Sequence, residues 1–425
     1  MPDGAPSRPS WRDWPVWNAF RARDFRWLWG GTFISFVGTQ AQTVAQGYYV
    51  YQLTGSKAAL GFIAFLGMVP VTVIGPIAGA LVDRMDRRKS LMTYALLYSL
   101  FTLSMAIAAA MDRLTIAHIA TVSFIMGLIG AFEMPTRQSL VRQVVPPEHL
   151  SSAIPAQAMT FNLARIIGPA IGGQIVAILG AMWCFFVNAG SYLAVLLSVL
   201  TMRVDTRPNL SARREPVMDL LKEGVQYTLR NPSLRTLFLM ECATSLFAIF
   251  YVFQMPALAS LLKLGPSGLG NLMSSVGVGA MIALITLGAL SQRRYKAQAA
   301  GLAMLGLAIG LLLLSQVQSA WMAYPVVALT GASAIMQFNT TNTLFQTIAP
   351  PRLHGRVLSM HIWAISGISP FGTLAMGAFA ERFGLRESFA LGGGLLLVAA
   401  IVAWMFRKTI VEPEHVATDE DGEGA

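Results

Sequence analysis

"GALVDRMDRRKS", residues 79–90, packs the charged side chains of Asp83, Arg84, Asp86, Arg87, Arg88 and Lys89 between two long apolar runs. Only 12% of the 425 residues are charged, so such a cluster marks a boundary. Spanning a bilayer takes about 20 mostly apolar residues, and bases gather in the cytoplasmic loops between spans. The stretch therefore reads as a short loop joining two membrane helices.

Working outward, apolar runs of spanning length fall at 26–52, 58–82, 90–111, 115–136, 153–178 and 181–201, and again at 234–262, 268–291, 298–316, 320–345, 356–379 and 387–406. A hydrophobic content of 55% and a mean hydropathy of +0.57 are too apolar for a soluble surface. The expected fold is an all-α integral membrane protein of twelve transmembrane helices in two six-helix pseudo-symmetric bundles. Its expected parts are a cytoplasmic interfacial segment 1–25 with Trp11, Trp14 and Trp17, a first bundle 26–201, a cytoplasmic linker 202–233, a second bundle 234–406 and a disordered acidic tail 407–425. The linker carries a short amphipathic helix near 216–230.

Charge sets the expected orientation. Arg84, Arg87, Arg88, Lys89, Arg203, Arg207, Arg213, Arg214, Lys222, Arg230, Arg293, Arg294, Lys296 and Arg407 fall on one side, against Lys57, Arg113, Lys263, Arg382 and Arg386 on the other. That asymmetry puts both termini in the cytoplasm. The net charge of +10 comes from these loop clusters, not from a basic groove, so nucleic acid is not an expected partner. No cleavable signal peptide is read ahead of the first span. Cys184 and Cys242 lie in apolar runs without metal-ligand or CxxC spacing and read as free thiols. His118, His149, His354, His361 and His415 show no ligand spacing, so no metal or cofactor is expected. No phosphate-binding loop of the GxxxxGK[ST] kind is present, and no nucleophile or acid/base constellation suggests an enzyme.

An internal repeat supports the two-bundle reading. "GALVDRMDRRKS" returns weakened as "GALSQRRYKAQA" at 288–299, with Gln292 in place of Asp83 and Lys296 in place of Arg87. "QVVPPEHL" at 143–150 is echoed by "QTIAPPRLHG" at 346–355, and "IIGPAIGG" at 166–173 by "GISPFGTL" at 367–374. The shared displacement of roughly 200 residues is that of a duplicated six-helix unit.

The loop at 79–89, "EMPTRQSLVRQVVPPEHLSSA" after the fourth span, "NLARIIGPAIGG" in the fifth, "LKEGVQYTLRNPSLR" in the linker and "HGRVLSM" at the start of the eleventh together resemble the major facilitator superfamily. The likeness is to its drug and siderophore exporters of the enterobactin-exporter type, and it covers nearly the whole chain. It implies that the loop signature, Gly79, Asp83, Arg84, Arg87 and Arg88, is a cytoplasmic latch. Asp83 can accept from the orphan N–H groups of the eleventh helix near Gly355 to Val357, and Arg87 can pair with Glu133. Arg84, Arg88 and Lys89 also serve as topology signals. Asp86 stands where the family has glycine; aspartate tolerates a left-handed backbone, which would keep the turn.

The fifth span carries Gly168, Pro169, Gly172 and Gly173. A proline flanked by glycines kinks a helix and leaves it a smooth face. This resembles the antiporter signature, although Ala164 stands where the longer pattern prefers glycine. Ionisable groups at membrane depth usually face a cavity or a partner. Glu133, Arg165 and Glu241 qualify: Glu241 is the leading proton carrier, Glu133 is more a latch partner, and Arg165 serves coupling, an anionic group or structural pairing, with His361 a weaker coupling candidate.

The expected substrate wall is polar and aromatic. Gln42, Gln46 and Tyr49 share a face of the first span at i, i+4 and i+7. Phe247, Phe250, Tyr251 and Gln254 come from the seventh, and Gln337, Asn339, Thr340 and Asn342 from the tenth. Such a wall suits a small amphipathic molecule. The expected function is secondary export of that molecule in exchange for protons by a monomer in the inner membrane. A nutrient importer, a lysophospholipid flippase and a non-transporting receptor or scaffold are the alternatives.

Overall fold

The structure is a computed structural model describing residues 15–82, 84–203, 217–290 and 296–410. Asp83, Gln292, Trp11, Trp14, most of the linker and the acidic tail lie outside the described residues. Among the described residues the chain builds α-helices and short 3₁₀ turns and no strand. In a bilayer interior a helix satisfies every backbone N–H and C=O within itself, which is why uninterrupted apolar runs take this form.

The first half comprises α1 (Arg23–Thr54), α2 (Lys57–Val82), α3 (Arg87–Ala110), α4 (Ile116–Val144), α5 (Leu150–Leu179) and α6 (Ala181–Leu200). A linker helix, α7 (Val217–Arg230), follows. The second half comprises α8 (Pro232–Phe247), α9 (Phe250–Phe253), α10 (Met255–Leu261), α11 (Gly265–Leu290), α12 (Lys296–Gln316), α13 (Ala320–Ile348), α14 (His354–Ser366), α15 (Ser369–Phe383) and α16 (Leu385–Met405). Ten stretches among the described residues are long and apolar enough to cross a membrane. The long helices α1 and α13, 32 and 29 residues, fall short in apolarity because Gln, Asn, Thr and Ser punctuate them. With them the arrangement is compatible with twelve spans.

Two expected helices are broken. The run 234–262 divides into α8, α9 and α10, and the run 356–379 into α14 and α15. Pro256 near the start of α10 and Pro370 near the start of α15 have no N–H to donate to the preceding turn, so each suits a helix start better than an interior. Pro135, Pro155, Pro169 and Pro325 remain inside continuous helices.

Within the first half α1 packs on α5 and α6, α2 on α4, and α3 on α4 and α6. In the second half α11 packs on α13, α12 on α13 and α16, and α8 on α14, α15 and α16. Two seams join the halves, α5 on α11 and α2 on α15. Small residues allow the α5–α11 approach: a Cβ on Gly173 would stand 2.8 Å from Gly270 Cα; within the first half one on Gly172 would stand 2.6 Å from Ala41 Cα. At the start of the described chain Asp24 accepts from Arg203 N at 3.0 Å, tying the beginning of α1 to the end of α6.

Candidate functional site: a central cavity and a buried acid network

A cavity of about 630 Å³ opens among α1, α2, α3, α4, α5 and α6, and the second half reaches it with Val252, Phe253, Pro256 and Met273. Gln42 and Gln46 line it, as the helical spacing predicts. Gln42 accepts from Asn188 Nδ2 at 2.5 Å, and Gln46 Nε2 donates to Ser123 Oγ at 3.1 Å. Each amide is held by a neighbouring helix and keeps further capacity for a solute. Tyr49 is not on this wall; its hydroxyl donates to Leu114 O at 3.4 Å.

Apart from Glu133, the remaining wall is not singled out by the sequence. Glu133 and Arg137, one helical turn apart on α4, form an ion pair at 3.3 Å, and both line the cavity. Arg137 Cζ lies 4.3 Å from the centroid of the Phe36 ring, and Phe36 meets Phe161 edge to face at 5.6 Å. Tyr98 and Tyr192 stack at 5.0 Å, and Thr39 shares a hydrogen bond with the Tyr192 hydroxyl at 3.0 Å. The expected Glu133–Arg87 pair is therefore corrected: Arg137 holds Glu133, and Arg87 Nε donates to Ser139 Oγ at 2.6 Å. The i, i+4 spacing of Glu133 and Arg137 was the signal that could have found this pair.

Helix breaks explain the second correction. The seventh span is interrupted at Ala248 and Gln254, and between them Phe250 and Tyr251 lie fully in the core, where Phe250 is 5.7 Å from Phe389. Gln254, also buried between α9 and α10, donates to Lys57 O of α2 at 3.0 Å. Phe247 does not line the cavity, nor do Gln337, Asn339, Thr340 or Asn342. Gln337 exchanges hydrogen bonds with Thr244 at 2.8 and 3.1 Å, Asn339 bonds back to Ile335 O at 2.9 Å, and Asn342 accepts from Gln346.

Glu241 is fully buried, away from the cavity. His361 Nδ1 on α14 lies 2.8 Å from its Oε2, and Thr341 on α13 donates to its Oε1. Phe345 covers the imidazole at 5.3 Å between centroids. One carboxylate thus ties α8, α13 and α14 together with a single titratable partner. A proton shared between a buried carboxylate and an imidazole is the sort of charge a transporter can load and release.

Arg165 follows Phe161 by one turn of α5, and its Cζ lies 4.6 Å from that ring. No carboxylate among the described residues pairs with it. Gly168 and Gly172 of the same helix face α1, whereas Pro169 and Gly173 meet Gly270 of α11. The antiporter-like motif is thus where α5 contacts both neighbours.

At the end of the bundle carrying residues 84–90, Gly79 is in the last turn of α2 and Arg84 lies exposed in the turn beyond it. Arg88 donates to Leu200 O at 2.9 Å, a carbonyl at the end of α6. Asp86 has φ −69 and caps α3, accepting from Arg88 N at 3.0 Å and Lys89 N at 3.1 Å. Its role is thus N-capping, not the left-handed turn expected from the family glycine. The first turn of α14 meets the linker helix through the Arg356–Glu223 ion pair. Cys184 and Cys242 are free thiols.

A helical membrane bundle of two halves joined along two seams, with a solute-sized cavity lined mainly by the first half, has the architecture of a transporter. The chain belongs to the transmembrane secretion effector family of the major facilitator transporters, whose profile matches residues 15–421. It is 26% identical over 385 residues to the multidrug efflux pump Tap of Mycolicibacterium fortuitum, covering 87% of this chain and 92% of that one. It is 24% identical over 414 residues to the enterobactin exporter EntS of Shigella flexneri, covering 93% and 95%. In fold it is similar to the crystal structure of the nucleoside transporter NupG, with a TM-score of 0.76 at 12% identity over 91% of this chain and 99% of that one.

Proposed function

We propose that the protein exports small amphipathic molecules, of the drug, siderophore or secondary-metabolite kind, by alternating access coupled to proton antiport. The observation that carries the reading is the 630 Å³ cavity, whose wall mixes aromatic rings with uncharged hydrogen-bonding groups and a single internally neutralised ion pair. Such a wall accepts an apolar body with a few polar groups and gives a small inorganic ion no set of oxygen ligands. Relatives named for multidrug efflux and enterobactin export support the direction.

Glu241 and His361 carry the proton, and the Gly168–Gly173 stretch is the surface along which α5 moves against α1 and α11. Both chain ends lie in the cytoplasm and the protein sits in the cytoplasmic membrane as a monomer, in line with the excess of Arg and Lys in the loops on one side. Everted vesicles made acid inside test this with three solutes, ethidium, a macrolide and a catechol siderophore. At least one should accumulate while the lumen turns alkaline. Accumulation only when the outside is the acid side would sink antiport, and no movement of any of the three would sink export of this solute class.

A further inference from the structure

We propose that Glu381 is a releasable latch that holds the 55–57 end of the bundle shut, by completing in the second half the N-terminal cap of α2 in the first. The inference rests on the alternating-access reading above. Glu381 sits in the last turn of α15. Its Oε2 accepts from Lys57 N at 2.7 Å, Ala58 N at 3.4 Å and Ser56 Oγ at 3.2 Å, all on the α1–α2 turn or the first turn of α2. The first N–H groups of a helix have no partner within it, and the positive end of its dipole favours a carboxylate there. α2 has no acidic residue in its own first turn, so the charge is supplied across 324 residues of chain.

Three neighbouring features make this a closing contact. Gln254 donates to Lys57 O at 3.0 Å, Gly377 is close enough to Gly61 that a Cβ there would lie 3.1 Å from the Gly61 Cα, and Phe65 meets Phe371 at 5.7 Å. The halves thus approach closely beside the latch. Glu381 is exposed, so when this end parts, water replaces α2 at the carboxylate without stranding a buried charge. Glu241 lacks that freedom, because its partners enclose it. Chemically, Glu381 does at this end what the sequence assigns to Asp83 at the other, with the halves exchanged: a carboxylate at the end of one helix caps the start of a helix in the opposite half.

The test uses the full chain with Cys184→Ser and Cys242→Ser, and Val50→Cys as a reporter, since Val50 is buried in the cavity wall. A membrane-impermeant maleimide is applied from the side of the 55–57 turn. Glu381→Ala should raise the labelling rate roughly two- to thirtyfold, the range that removal of a capping side chain spans, with Glu381→Gln between it and the parent. An unchanged rate in Glu381→Ala overturns the latch. Labelling needs no transported solute, so failure of the latch is distinguishable from failure of the export reading in vesicles. A second variant covers loss of folding in the first. With Ser56→Cys and Glu381→Cys joined by oxidation, the labelling of Val50→Cys should fall below the parent's and recover with reductant; labelling at the parent's rate with the bridge intact overturns the latch equally.

Discussion

The two halves handle polar side chains in opposite ways. In the first, Gln42, Gln46, Thr39, Glu133 and Arg137 are held by neighbours yet face a common cavity. In the second, Glu241, Thr341, His361, Gln337 and Thr244 turn on one another, away from that cavity. The two six-helix halves thus present different chemistry: the first lines a cavity with hydrogen-bonding groups, the second encloses a titratable pair. In this account recognition is concentrated in one half and coupling in the other, with the seams α5–α11 and α2–α15 passing movement between them.

The largest expected effect falls on the enclosed pair. Glu241→Gln, which cannot release a proton, should cost about tenfold or more in gradient-driven accumulation in everted vesicles, a loss of at least ~1.4 kcal/mol of coupling, while downhill movement of the solute continues. On the same pair, His361→Ala leaves a buried carboxylate without its imidazole and should destabilise the protein by about 3 kcal/mol. The same change in a Glu241→Gln background should cost much less, and thermal unfolding of the four proteins in a double-mutant cycle measures the difference. Equal losses in both backgrounds would mean that the two residues do not act as a pair.

The seam is expected to respond more moderately. Gly173→Val places atoms where Gly270 already stands, so a destabilisation of about 1–3 kcal/mol is expected, read as a fall in Tm. The smallest effect is on the open wall. Gln46→Ala removes one hydrogen bond to Ser123 and one group offered to the solute, so affinity should fall by about 0.5–1.5 kcal/mol with coupling untouched. A loss of proton coupling in Gln46→Ala would break the division between halves.

The contrast between halves also divides what could be read in advance. The helices were legible because apolar runs bounded by charged loops have few other forms in a bilayer, and the α1 wall was legible because Gln42 and Gln46 recur at helical spacing. The wall drawn from Phe250, Tyr251 and Gln254 was misplaced because it assumed a continuous helix through 248 and 254, although Pro256 already argued for a break. Asp86 as a cap and Arg137 as the partner of Glu133 are both within reach of local rules, whereas the family resemblance points to a left-handed turn at Asp86 and to Arg87 for Glu133. Glu241 stood out as an acid at membrane depth, but its enclosure by Thr341 and His361 depends on how α8, α13 and α14 meet. Glu381 depends on the packing of helices from opposite halves, for which no local spacing gives a signal.

The division of labour is tested most directly by counting protons released when a transported solute binds to the purified protein, in wild type, Glu241→Gln and Gln46→Ala, each at saturating solute in weakly buffered detergent solution. That division predicts release from wild type and from Gln46→Ala in equal stoichiometry, and binding without release in Glu241→Gln. Proton release from Glu241→Gln at the wild-type stoichiometry would contradict it.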